Sequence, residues 1–263
     1  MRETGPYAVV MEFHLAGSRV LGPLTPEGLH GAFLGLLSQG DRALGRLFHM
    51  PRLGQRPFTL HPLGNPRTTG RVRLRVAVMI PEIFARFWSR WERRGGIPLK
   101  LGKSLLEPVS LSLDGPWCGS CSWEDLLTTE PRKEVELAFA TPTAFRAGDL
   151  DLPLPVPRLV FGGLLRKWDA FSPHPLGITR EELERKVALA DARIHTRAFY
   201  DGRSHIVGFV GRARFRVLRG ASTELLRAVN TLAQFSFYAG VGRKTTHGMG
   251  LVRVMETCGS LSP

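Results

Sequence analysis

The sequence predicts an α+β protein of two tandem βαββαβ modules, and three observations carry that expectation. The order strand, helix, strand, strand, helix, strand is legible twice along the 263 residues. Helix starts are marked by proline or by Ser/Thr caps, and strands by alternation of apolar and polar residues. With 43% hydrophobic and 22% charged residues, the chain has the material for a real core.

Tyr7, Val9, Met11, Phe13 and Leu15 share one face of a first strand over 7–15. Thr25-Pro26-Glu27 supplies a cap, a proline at the first helical position and an acid in the first turn, opening a helix through Leu29, Phe33, Leu36 and Leu37 that stalls near Gly40. A short second helix, Ala43 to Phe48, extends this crossover. Phe58 to Leu60 and Arg71 to Ile80 read as strands. Pro81 opens a helix through Ile83, Phe84, Phe87 and Trp91 that stops at Gly95-Gly96, and Leu105 to Leu113 returns as a strand. The second half repeats the order. Val135 to Ala140 is a strand and Pro157 to Trp168 a helix, with an inserted charged helix over Thr179 to Leu189. Strands at Ala192 to Tyr200 and His205 to Leu218 follow, then a helix capped at Ser222 or Thr223 and reaching Tyr238, and a last strand at Leu251 to Glu256. Such a unit is ferredoxin-like. The expected organisation is an N-terminal module over 1–115, a linker over 116–134 and a C-terminal module over 135–263; a single larger α+β domain is the competing architecture.

The 36 Lys and Arg against 23 Asp and Glu leave a net charge of +13, which favours a polyanionic partner because phosphate contacts release counterions. A generally basic proteome is the bland alternative. No segment reaches the roughly 18 apolar residues a membrane span needs, the first residues lack the apolar core of a signal peptide, and three cysteines do not suit a secreted disulfide scaffold. A cytoplasmic protein is expected. Two strands carry arginines at every second position. Arg71, Arg73 and Arg75 form one row and Arg212, Arg214 and Arg216 another, each backed by apolar residues. Like charges so arranged repel unless an anion faces them; solvated decoration is the alternative. The cluster Arg86, Arg90, Arg93 and Arg94 on the Trp88/Trp91 helix reads as a solvated face.

The most specific stretch runs from Tyr238 to Leu251, where Gly240, Gly242, Gly248 and Gly250 flank Arg243, Lys244, Thr245, Thr246 and His247. Glycine permits close backbone approach, so amides can converge on a phosphate while the cations supply charge. Neither the P-loop nor the Rossmann turn fits, because both run from strand into helix and this loop runs from helix into strand.

This loop resembles the G-x-G-x₅-G-hydrophobic-G signature of the CRISPR repeat-RNA endoribonucleases of the RAMP superfamily. Gly208-Phe209-Val210-Gly211 resembles that family's GFxG strand start. Thr141-Pro142-Thr143 with Pro157 to Trp168 resembles its TPT…LL.RW segment, and Leu47-Phe48-His49 with Arg56 to Leu60 its LH…RPFT segment. The resemblance implies two ferredoxin-like modules and metal-independent cleavage of repeat RNA, without cofactor, leaving 2′,3′-cyclic phosphate and 5′-hydroxyl ends. It also implies a CRISPR repeat stem-loop as partner, held by the arginine rows and the glycine loop, with the protein acting as a homodimer or within an effector complex.

Such cleavage needs a base, an acid and a cation, and histidine suits either proton task near neutrality. His49 matches the family's catalytic histidine, and His30 lies where relatives place a catalytic His or Tyr. The pattern departs from relatives that add tyrosine and lysine: the tyrosines are Tyr7, Tyr200 and Tyr238, and no lysine precedes Lys100. An arginine therefore stands as the expected cation, with Arg19, Arg46 and Arg52 as candidates, acting only by charge. The competing functions are a non-cleaving RNA-binding subunit of the same superfamily and a thiol redox protein built on Trp117-Cys118-Gly119-Ser120-Cys121. Cys258 has no assigned role.

Overall fold

The computed structural model describes residues 5–15, 25–39, 41–52, 54–64, 70–202 and 204–255. Arg19, Glu256 and Cys258 lie outside them. Two compact units emerge. The first takes the chain up to Trp123 together with Tyr200–His205 and Thr245–Gly248; the second takes Glu124–Phe199, Ile206–Lys244 and the stretch from Met249. Among the described residues, no helix is long and apolar enough to cross a membrane.

The first unit begins with β1 (Tyr7–Leu15), α1 (Pro26–Ser38) and α2 (Arg42–His49), followed by β2 (Phe58–Leu63) and β3 (Arg71–Val78). It continues with α3 (Pro81–Arg93), β4 (Leu99–Leu101), β5 (Ser104–Ser112) and the short β6 (Gly119–Ser120). The sheet order is β2-β3-β1-β5-β4, with β6 added to the start of β1 and every pairing antiparallel. This is the ferredoxin-like order expected. Register places Val9 opposite Val76, Met11 opposite Leu74 and Phe13 opposite Val72, so one face of β1 and β3 is continuously apolar. Leu29, Phe33, Leu36 and Leu37 of α1, with Ile83, Phe84, Phe87 and Trp91 of α3, close over that face. Fully burying such a side chain is worth roughly 1.5–3 kcal/mol.

The joint between α1 and α2 is clamped from α3. Asp41 caps α2 by accepting from Leu44 N at 3.0 Å, and Arg86 grips the same carboxylate with two bonds of 2.8 Å. Together these hold the Asp41 carboxyl below its ordinary value, the Leu44 amide first. Arg90 is buried and donates to Leu37 O at 2.6 Å, satisfying the end of a helix that has no basic residue in its last turn. The arginines of α3 are thus not all a solvated face: Arg90 is a structural cap.

The second unit holds most of α4 (Trp123–Leu127), then β7 (Glu134–Thr143), a hairpin of β8 (Phe145–Ala147) and β9 (Leu150–Leu152), α5 (Pro157–Phe171), α6 (Arg180–Lys186), β10 (Val187–Tyr200), β11 (His205–Val217), α7 (Thr223–Ala239) and β12 (Val252–Met255). The order β10-β11-β7-β12 repeats the ferredoxin-like sheet. Phe161 of α5 meets Phe215 of β11 edge-on at 5.1 Å, and Trp168 meets Phe235 of α7 at 5.4 Å. The charged helix expected over Thr179 to Leu189 ends instead at Lys186. A capping box between Thr179 and Glu182 starts it, and Val187 passes directly into a 14-residue strand.

Candidate functional site

Among the described residues, the richest cluster of polar side chains lies in the first unit around His30. Thr25 caps α1, and its side chain accepts from Gly28 N at 3.1 Å. This sets the helix so that His30 faces the returning segment Thr245–Gly248. His30 Nδ1 lies 3.0 Å from Thr246 O. The His30 ring stacks on that of His247 at 4.1 Å and 13°, and runs nearly parallel to Phe58 at 5.8 Å. Thr246 Oγ1 lies 2.9 Å from His247 Nδ1. Leu60 N donates to Thr245 O at 3.0 Å, so the returning segment is anchored on β2.

A carbonyl oxygen only accepts, so His30 Nδ1 carries the proton of this bond and the Nε2 lone pair is left for other work. Burial pushes the His30 imidazole below its ordinary value of 6.5. The Thr246 carbonyl opposes this, Arg56 and His49 add to it by charge, and Glu27 opposes it. His30 therefore feels the charges of both Arg56 and His49. His49 is the last residue of α2 and is exposed. It lines a shallow cleft of about 410 Å³ with Leu34, Ser38, Arg42, Gly45 and Arg46. Arg56 is half-buried, and its Nη1 is enclosed with no hydrogen-bond partner among the described residues. Of the cation candidates, Arg46 and Arg52 are both exposed. Arg56, absent from that set, is the arginine placed with the histidines. Its only trace in the sequence is its position in the RPFT segment.

The second unit holds the base of the glycine loop. Gly240, Gly242 and Gly250 adopt positive φ, as does Lys244 at 54°. A Cβ on Gly242 would lie 2.5 Å from Ala144 O, so only glycine passes there. The amides expected to cradle phosphate are largely used by the fold. Val241 N donates to Gly250 O, Arg243 N to Ala144 O, Met249 N to Lys244 O and Gly250 N to Pro142 O. Arg243 pairs with Asp151 of the β8–β9 hairpin. Lys167 donates to Ala239 O at 2.6 Å and Gly240 O at 3.0 Å, and burial, then Arg166, pushes its ammonium down to about 7.

The arginine rows are not bare. Arg71 and Arg73 are exposed and share Glu12 on the neighbouring strand, with Arg73 Nε at 3.6 Å. Arg75 is buried under the 117 turn and donates to Trp117 O at 2.8 Å, so it leaves the exposed row. Arg216 pairs with Glu134, and Arg214 lies within 4.0 Å of Glu134, Glu136 and Asp191. Arg212 is exposed, and it shares with Arg214, Arg193 and His195 a groove of about 430 Å³. Cys118 and Cys121 are not joined in a disulfide, and burial pushes the Cys118 thiol up, opposite to the activated thiolate a redox motif needs. His14 and His174 sit beside Glu107 and Glu124, and His61 is buried.

The profile of the family described as CRISPR-associated endoribonuclease Cas6 matches residues 137–252. The chain is 34% identical to a Mycobacterium tuberculosis protein of that description over 126 residues, which is 46% of this chain and 39% of the relative. It is 32% identical to one from Streptococcus thermophilus over 130 residues, 48% of this chain and 53% of the relative. The match thus spans less than two thirds of either. Among solved structures, a Thermus thermophilus Cas6 in a product complex superposes with a TM-score of 0.81 at 32% identity, covering 95% of this chain and 100% of that one.

Proposed function

The chain belongs to the Cas6 family of CRISPR-associated endoribonucleases, and from that premise we propose that it binds the repeat stem-loop of CRISPR precursor RNA and cuts it by 2′-hydroxyl attack. The observation that carries the reading is the His30–His49–Arg56 cluster. His30, kept neutral by burial, takes the 2′-hydroxyl proton on Nε2. The 2′-oxygen bonds to the adjacent phosphorus, and the bond to the 5′-oxygen breaks. His49, open to solvent at the end of α2, gives that leaving oxygen its proton. Arg56, whose charge reaches His30, is the cation set against the charge that builds on the phosphorane. The products are a 2′,3′-cyclic phosphate and a 5′-hydroxyl.

Net charge supports phosphate contacts that read the A-form stem by shape, with the exposed Arg71 and Arg73 offering them on the first unit and the exposed Arg212 and Arg216, with Lys244, on the second. The glycine loop contributes to that hold through Thr245 and its two cations, Arg243 and Lys244, more than through its amides. A cytoplasmic location is part of the proposal, since the precursor RNA is made there.

The test is incubation of the purified protein with its own repeat hairpin in excess EDTA. One cut is expected, with cyclic phosphate and 5′-hydroxyl ends. A requirement for Mg²⁺, or ends of the opposite polarity, contradicts the reading. Tight binding with no cut replaces it with a non-cleaving subunit.

A further inference from the structure

The glycine loop enters the sequence reading as an RNA grip, yet its tip does something else. Thr246 and His247 spend their polar atoms and ring surface on a residue 216 positions away. The Thr246 carbonyl takes the His30 Nδ1 bond at 3.0 Å, and the His247 imidazole lies flat on the His30 ring, 4.1 Å between centroids. Thr246 Oγ1 in turn holds His247 Nδ1 at 2.9 Å, which fixes the plane of the stacked ring. Leu60 N ties Thr245 O to β2, so the tip is carried by the same sheet edge that carries Phe58, the other ring parallel to His30. A base must present its lone pair in one direction to remove one proton, and a lone imidazole on a helix turns about two side-chain bonds. Here a carbonyl selects the tautomer and a stacked ring selects the rotamer.

We propose that His247 is a positioning residue: with the Thr246 carbonyl, its ring orients His30 and shields it from water, so the loop helps to build the base as well as to hold RNA. This rests on the reading of His30 as the base. The groups facing His30 are Glu27 on its own helix, His49 from α2, Arg56 from the segment before β2, and His247 and Thr246 from the loop tip. Phe58 faces it from β2 as an uncharged wall. Removing the His247 ring opens one face of His30 to solvent while leaving the others in place. Phenylalanine restores the face without a titrating group.

The test follows the imidazole nitrogens of the RNA-free full chain by long-range ¹H–¹⁵N NMR against pH, in the wild type, His247→Ala and His247→Phe. Wild type and His247→Phe are expected to show His30 as the Nδ1–H tautomer with the same titration midpoint. In His247→Ala the midpoint moves up towards 6.5 and the tautomers mix. Hairpin cleavage in His247→Ala is expected to fall about tenfold, recovering in His247→Phe, with hairpin affinity unchanged. An unmoved His30 titration in His247→Ala overturns the proposal, as does a loss confined to RNA affinity. Because the titration needs no cleavage, it stands apart from the parent reading. That reading fails separately if His30→Ala cuts at the wild-type rate.

Discussion

Replacing His30 with alanine is expected to slow single-turnover cleavage of a bound repeat hairpin by about 10²–10⁴-fold while changing hairpin affinity by less than about twofold. The imidazole is the group whose charge state burial has altered most usefully. Its value lies below 6.5 because desolvation outweighs the Thr246 carbonyl, so it is neutral and able to take a proton near pH 7. The cleavage rate should therefore fall as pH drops through a value below 6.5. The same shift bears on folding. Above 6.5 the group is neutral in both states. Between 6.5 and the lower folded value, the unfolded chain binds the proton first, so this group's contribution to stability falls as pH falls. His49→Ala should produce a loss of similar size, and the double variant should lose far less than the product of the two, because base and acid serve one step. The single-turnover rates and the hairpin Kd of the three variants check this. A rate within threefold of wild type for His30→Ala rejects the assignment.

Arg56→Ala is expected to cost about 10²–10³-fold in the same rate with thermal stability unchanged or raised. The two halves of that expectation have one origin. Arg56 Nη1 is enclosed and lacks a hydrogen-bond partner among the described residues, and a buried donor left in that condition costs the folded state free energy. Removing it loses no bond the fold relies on at that nitrogen, but removes the charge that the proposed mechanism sets against the reacting phosphate. Arg56→Lys should recover part of the rate, since a compact ammonium supplies charge without the planar fork. Single-turnover kinetics and a melting curve decide the matter: a large fall in Tm with a rate loss explained by unfolding assigns Arg56 to structure instead.

What the sequence disclosed and withheld follows a physical line. Helices with a cap or a leading proline, such as α1 at Thr25-Pro26 and α7 at Ser222, and strands with clean alternation, such as β1 and β3, were readable because their signals are local. The β4–β5 turn and the β8–β9 hairpin were not, since three-residue strands carry no period. The helix expected to reach Leu189 failed where a strong cap met a segment whose strand pairing is non-local. The arginine rows are legible only in part, for a related reason. Spacing reveals that Arg71, Arg73 and Arg75 share a face, but only register shows Glu12 opposite Arg73, and only the fold lays Trp117 O against Arg75. His49 and His30 stand out from the other histidines only through the family resemblance. Arg56 lies in the RPFT segment, but nothing in the sequence marks it out from the other arginines, because the enclosure of one guanidinium nitrogen has no sequence signature. The pairing of His30 with His247 across the chain was equally invisible.

The central claim is that the ribose 2′-hydroxyl is the nucleophile and that protein side chains alone move the protons. The most direct measurement is cleavage of two otherwise identical repeat hairpins, one carrying a single 2′-deoxy sugar on the 5′ side of the scissile phosphate, in EDTA and with protein in excess. The account predicts equal binding, rapid cutting of the ribose substrate and no cutting of the deoxy substrate. Cleavage of both at comparable rates would contradict it.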